Sequence, residues 1–301
     1  MHVPVLLEKV LLYLNLQEGD TVLDATIDGG GHAIAMLARL SSKGVLIGID
    51  QDAELLESTE LKLKSKNKQA KCKIVLLNGN FRDLDKLFEP LKIKSLNVAL
   101  FDLGMSSDQL DLSGRGFSFK KDEPLLMNLK SPLTEKDLTA MEIVNSWSAD
   151  EIYEILKTYG EERFAGPISR KIVESRKIKH IKTTLELVEV INRSVPAFYK
   201  QGRRIHFATK TFQALRIAVN DELNALKEGL LKSWEYMKPE GKIAVISFHS
   251  LEDRIVKNFF REKHQKREGV ILTKKPIQSL REEIFLNPRA RSAKLRVIKK
   301  N

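Results

Sequence analysis

A single cysteine, Cys72, in 301 residues excludes an intramolecular disulfide framework and any multi-cysteine zinc site. No stretch approaches the roughly 20 consecutive apolar residues of a membrane helix. The opening, Met1-His2-Val3-Pro4-Val5, has no basic segment, and Glu8 and Lys9 interrupt the apolar run too early for a secretory signal. Internal repeats and low-complexity tracts are absent, and no set of side chains shows metal-ligand spacing. These absences predict a reduced, cytoplasmic chain with no membrane partner. What is present is 42% apolar and 30% charged residues, enough to bury a core in two domains or one domain with an insertion. The 51 Lys and Arg against 40 Asp and Glu give a net charge of +11, which favours a polyanionic partner. The excess is uneven: residues 163–204 carry eleven basic groups against three acidic, and residues 254–301 fifteen against four. Two basic regions beside an acidic remainder point to a nucleic-acid footprint.

Short buried runs at residues 21–24, 45–50, 73–77 and 96–102 alternate with helical patterns over the first hundred residues. This is the signature of βαβ units and a parallel sheet. From Gly104 to Ile205 the strand signal vanishes, and residues 138–147, 149–159, 161–176 and 184–194 read as helices. Pro167 either sits in the first turn of the third or breaks it. The α/β pattern resumes with a helix over 209–234 and strands at 242–248, 270–273 and 293–298. The expected architecture is α/β, a Rossmann-like seven-stranded sheet with an inserted all-helical domain. Residues 1–104 and 205–301 would form the sheet domain, and 105–204 the insertion.

Asp24-Ala25-Thr26-Ile27-Asp28-Gly29-Gly30-Gly31-His32 is a strand end, a glycine turn and a helix start. Asp50 ends the next strand, where an acidic side chain accepts from ribose hydroxyls. A pyrophosphate needs unopposed N–H groups at such a turn, yet Asp24 and Asp28 flank it and no Lys or Arg falls between residues 10 and 38. Two carboxylates suit a cationic adenosyl ligand, S-adenosylmethionine, better than NAD or ATP. The P-loop lysine is also missing. Phe81 follows the third strand, either stacking on adenine or filling the core. Asp102 ends the fourth strand at the carboxyl edge.

The chain resembles the bacterial small-subunit ribosomal RNA cytosine-N4 methyltransferases, the methyltransferase H family, over nearly its whole length. The markers are His2-Val3-Pro4-Val5-Leu6-Leu7, Gly30-Gly31-His32, Gly48-Ile49-Asp50, Phe101-Asp102-Leu103-Gly104 and Arg115-Gly116-Phe117-Ser118-Phe119. Further along come Thr211-Phe212-Gln213-Ala214-Leu215-Arg216, Ser247-Phe248-His249-Ser250-Leu251-Glu252-Asp253-Arg254 and Asn287-Pro288-Arg289-Ala290-Arg291. The resemblance implies S-adenosylmethionine as cofactor, held at Gly30, Gly31, His32, Asp50, Phe81, Asp102 and Gln109. It also implies N4-methylcytidine in the decoding region of 16S rRNA as product, with free rRNA or the small subunit as substrate. Three departures stand out. Asp28 replaces a usual glycine, and Leu126 and Asn128 replace an acid and an arginine.

Asp102 is the first candidate to accept from the cytosine amine; the Asp-Pro-Pro-Tyr motif of DNA amino-methyltransferases is absent. C5-methylation would need a cysteine nucleophile, and Cys72 reads instead as a small core residue. Candidate substrate contacts are Gln213, Arg216 and Asn220 on one helix face, His249 and Ser250 after a strand end, and Arg289, Arg291 and Arg296 on phosphates. Each has a plain structural alternative. The competing function is an RNA-binding assembly factor with an inert pocket, and the oligomeric state, homodimer included, stays open.

Overall fold

A computed structural model describes residues 4–67, 71–105, 109–110, 112–200 and 205–301. His2 and Val3 of the opening motif, and Arg203 and Arg204 of the first basic region, lie outside them. The chain divides into two units: residues 1–106 with 223–301, and residues 107–222. The second boundary differs from expectation, because residues 205–222 go with the helical unit. The cause is local. The helix expected over 209–234 breaks at Asp221, whose φ of 47° is left-handed, giving separate helices Thr209–Asn220 and Glu222–Tyr236.

The sheet unit contains β1 (Thr21–Asp24), β2 (Val45–Asp50), β3 (Lys73–Asn78), β4 (Leu96–Asp102), β5 (Met237–Ser247), β6 (Gly269–Ile271), β7 (Ile277–Gln278) and β8 (Lys294–Lys300). Their order is β3-β2-β1-β4-β5-β8-β6, with β7 on β8. Pairing is parallel from β3 to β5, and β8 is antiparallel to its neighbours. The sheet thus has eight strands rather than seven, since β7 is too short to leave a period in the sequence. Strand order reverses between β1 and β4, so the crevice beyond their carboxyl ends is where an open α/β sheet takes a ligand.

Alternate residues of each central strand feed two cores. Val22, Leu46, Val98 and Ala244 pack beneath α1 (Leu7–Leu14), α2 (Gly31–Leu37) and α3 (Ala53–Lys66). Leu23, Ile47, Ala99 and Ile243 pack against α4 (Leu84–Phe88), Trp234 and Phe260. Both faces are covered, which is why these strands read as unbroken apolar runs. Two helix starts are set by local geometry. Leu6 is left-handed at φ 55°, so α1 begins at Leu7; Phe81–Asp83 is a 3-10 turn ahead of α4.

The helical unit contains helices Ala140–Ser146, Ala149–Thr158, Ala165–Ile178, Thr184–Ser194, Ala197–Lys200 and Thr209–Asn220. Ser148 and Thr183 close capping boxes with Glu151 and Glu186, satisfying end N–H groups that would otherwise lack acceptors. Pro167 falls in the first turn of its helix, where its missing N–H costs nothing.

Candidate functional site

Parallel register brings three acidic residues to one edge. Asp24 ends β1 beside Gly48 and Leu100, Asp50 ends β2 beside Asn78, and Asp102 ends β4 beside Ile246. The glycine turn folds over them. Gly30 caps α2 at φ 79°, and a Cβ there would stand 2.9 Å from Thr59 Cγ2. At Gly31 a Cβ would meet Pro4 Cγ at 2.6 Å, so the opening segment lies directly on the loop. Asp28 has a φ of 47°, a region Asp tolerates better than most side chains, which explains how it stands where the family favours glycine. Its N–H donates to Asp50 Oδ2 (3.0 Å), and its carbonyl accepts from Thr59 Oγ1 (2.7 Å). Thr26 Oγ1 accepts from the Asp102 N–H at 2.7 Å, tying the loop to the end of β4.

His32 is buried between Val5 and Asp102. Its Nε2 is 3.0 Å from the Val5 carbonyl and its Nδ1 is 3.4 Å from Asp102 Oδ2. Burial pulls its pKa down to about 4, so the ring is neutral. A carbonyl only accepts, so Nε2 carries the proton and Nδ1 presents a lone pair to Asp102.

The carboxylates are held in protonation states unlike those in water. Burial, reinforced by Asp102, pushes Asp24 up to about 8. Burial and then Asp50 raise Asp28 well above the usual range. Asp50 rises to about 6, again from burial, although N–H donors from Asp52 and Asp28 oppose the shift. Among the described residues, none of Asp24, Asp28 and Asp50 makes an ion pair. Lys62 on α3 brings an exposed ammonium near Gly29, so the gap in basic residues along the sequence is not complete in space. Added negative charge would worsen this cluster and a cation would relieve it. The acidic lining therefore fits a cationic adenosyl ligand better than a pyrophosphate, and Asp50 and Asp102 are the carboxylates that would face it.

The remaining candidates separate. Asn78, Gly79 and Asn80 bond to Asp50 and Gln51, placing the turn before Phe81 at the β2 end. The Phe81 ring itself packs edge-on against Phe101 at 5.4 Å and over Gly229. Gln109 lies buried in the helical unit, its carbonyl accepting from Ser113 Oγ. Gln213 donates to the Tyr159 carbonyl. Arg216 forms a two-pronged pair with Glu222, both bonds 2.8 Å. Asn220 spans the backbone of Met127 and Leu129, holding the loop in which Leu126 and Asn128 depart from the family. His249 caps the helix Ser250–Gln265 in a capping box with Glu252; Ser250 is exposed at its start.

Arg289 is half-buried and Arg291 exposed in the turn Pro288–Ser292. Arg296, expected on phosphates, is instead buried and paired with Asp253 at 2.6 Å. Cys72 is buried at the start of β3, its thiol pushed up by burial. Sequence reasoning missed Thr59, Val5 and the contact role of Thr26. Val5 and Thr59 lie 27 and 31 residues from their partners, and Thr26 reaches Asp102 across 76.

The comparisons agree with this geometry. The model of the MraW methylase family matches residues 1–301. The chain is 47% identical over 299 residues to Ribosomal RNA small subunit methyltransferase H of Persephonella marina, covering 99% of each. It is 46% identical over 297 residues to the protein of that name from Sulfurihydrogenibium sp., covering 98% of each. Against that of Clostridium botulinum it is 41% identical over 315 residues, 99% of this chain and 98% of the other. A match along the entire chain, glycine turn and helical unit included, makes this protein a member of the MraW methylase family.

Proposed function

We propose that the protein is an S-adenosylmethionine-dependent methyltransferase that methylates N4 of a cytidine in the decoding region of 16S rRNA, working in the cytoplasm where that RNA is assembled. The observation that carries this reading is the carboxylate edge of β1, β2 and β4, where Asp24, Asp28 and Asp50 make no ion pair among the described residues, in a chain of this family. When bound, S-adenosylmethionine supplies an electrophilic methyl group on a cationic sulfur.

The exocyclic amine of cytosine is a weak nucleophile, its lone pair delocalised into the ring. It gains reactivity when the base leaves its stack and an acceptor faces the amine. Asp102 is that acceptor in this reading: its backbone N–H is held by Thr26 Oγ1, and its Oδ2 lies 3.4 Å from His32 Nδ1. An amine proton arriving at Asp102 Oδ2 faces the lone pair on His32 Nδ1, so it rests between the two and off the product. His32, buried behind Asp102, acts in this reading as its positioning residue. Cys72, buried away from this edge, gives no nucleophile for C5 chemistry.

The test is nucleoside mass spectrometry of 16S rRNA from small subunits lacking the modification, incubated with the protein and methyl-labelled cofactor. Label in N4-methylcytidine is the expected result. Cofactor binding without transfer would move the reading to an assembly factor. Sedimentation of the purified chain decides whether it works as a homodimer.

A further inference from the structure

The segment between β7 and β8 has an unusual surface. The helix Arg281–Leu286 is clamped from below: Ile277 and Ile284 pack into the sheet core, and Ala290 is fully buried. Above, Leu280 is 66%, Phe285 86% and Leu286 81% exposed. Arg281 and Phe285 stand four residues apart and so share a helix face. Arg281 and Arg291 are exposed and make no ion pair among the described residues, and Lys274 and Lys275 extend the same sign. Of the two acids here, Glu282 is exposed, whereas Glu283 is committed: its Oε1 accepts from the Leu6 N–H at 2.6 Å. That bond matters for location. Pro4 lies on Gly31, Val5 accepts from His32, and Leu6 holds Glu283, so three consecutive residues couple this helix to the loop over the carboxylate edge.

We infer that Phe285 and Leu286, rimmed by Arg281 and Arg291, form a stacking platform for an unpaired stretch of the RNA substrate. This deepens the function proposed above and rests on it. An aromatic face stacks on any base, and the surrounding guanidinium groups track the phosphates. A second copy of the chain fits less well, since a twofold contact sets the same surface against itself and would oppose the cationic rims.

The test uses the full chain and unmethylated small ribosomal subunits, with affinity measured across a salt series. Phe285→Ala is expected to weaken binding about tenfold, the scale of one lost base stack, with an unchanged salt slope and unchanged binding of adenosylhomocysteine. Phe285→Trp should restore affinity and Phe285→Leu should not, which separates stacking from general apolar contact. Arg281→Ala and Arg291→Ala should each lower the salt slope by about one. Wild-type affinity in Phe285→Ala, with methyl transfer intact, overturns the platform and leaves the enzyme reading standing. A Phe285→Ala chain that binds RNA normally but loses self-association overturns it in favour of a contact between copies. A wild-type chain that neither binds nor methylates the subunit overturns both readings.

Discussion

The carboxylate edge of the sheet unit and the polar helix face of the helical unit looked alike in sequence, each a cluster of chemistry-bearing side chains near family motifs. In the structure they are opposites. Gln213, Arg216 and Asn220 find partners within their own unit, so that face is already satisfied. Asp24 and Asp50 are buried with Asp28 partly buried beside them, all three have raised pKa values, and among the described residues none makes an ion pair. Buried polar groups in a finished structure are paired. A charge cluster left short of its counter-charge is therefore the better guide to a ligand, and a complete network is the better guide to architecture.

The sharpest way to break this contrast is Asp102→Asn, which keeps shape and loses the ability to hold a proton or its charge. Methyl transfer is expected to fall about 100-fold or more, with the fold intact by circular dichroism. Near-normal turnover would remove Asp102 from the chemistry. In the helical unit the expected effect is on stability alone. Arg216 and Glu222 are only 16% and 13% exposed, so Arg216→Ala strands a shielded carboxylate and should cost on the order of 2 kcal/mol of unfolding free energy. The Arg216→Ala, Glu222→Ala double variant should cost less than the two singles combined. If Arg216→Ala instead raises KM for the RNA at unchanged stability, that side chain is a substrate contact after all.

How much of this was legible in advance follows from how local each cause is. The four strands β1 to β4 were readable because burial on both faces leaves continuous apolar runs. Asp50 and Asp102 were readable because each ends such a run. The break at Asp221 was not, since a left-handed Asp carries no mark in a helical pattern that continues on both sides. Arg296 was misread because its partner Asp253 lies 43 residues away, and a basic residue in a basic tail looks free until the sheet brings an acid to it. The same limit hid Thr59, which is one more polar residue on an amphipathic helix until Asp28 O arrives.

The smallest expected effect tests the electrostatic side of the comparison directly. A carboxyl whose folded pKa is raised stabilises the fold fully below the ordinary carboxylate range, and that contribution is lost as pH climbs through the raised value. For Asp50 and Asp24 those values are about 6 and about 8. His32, lowered to about 4, acts oppositely: its contribution is present above about 6.5 and lost as pH falls toward 4. Without ligand, the melting temperature should therefore decline between pH 6.5 and pH 8.5, chiefly through Asp24, where the His32 contribution is already complete. A bound cation compensates the carboxylates as they ionise, so S-adenosylmethionine should flatten that decline more than adenosylhomocysteine, which lacks the sulfonium charge. The ratio of their Kd values should shift toward the sulfonium by about tenfold over the same interval, the equivalent of one pKa unit. Calorimetry at four or five pH values reads it. A ratio that stays level would mean the edge does not sense the sulfonium charge, and the cofactor would then be held by shape and hydrogen bonding alone.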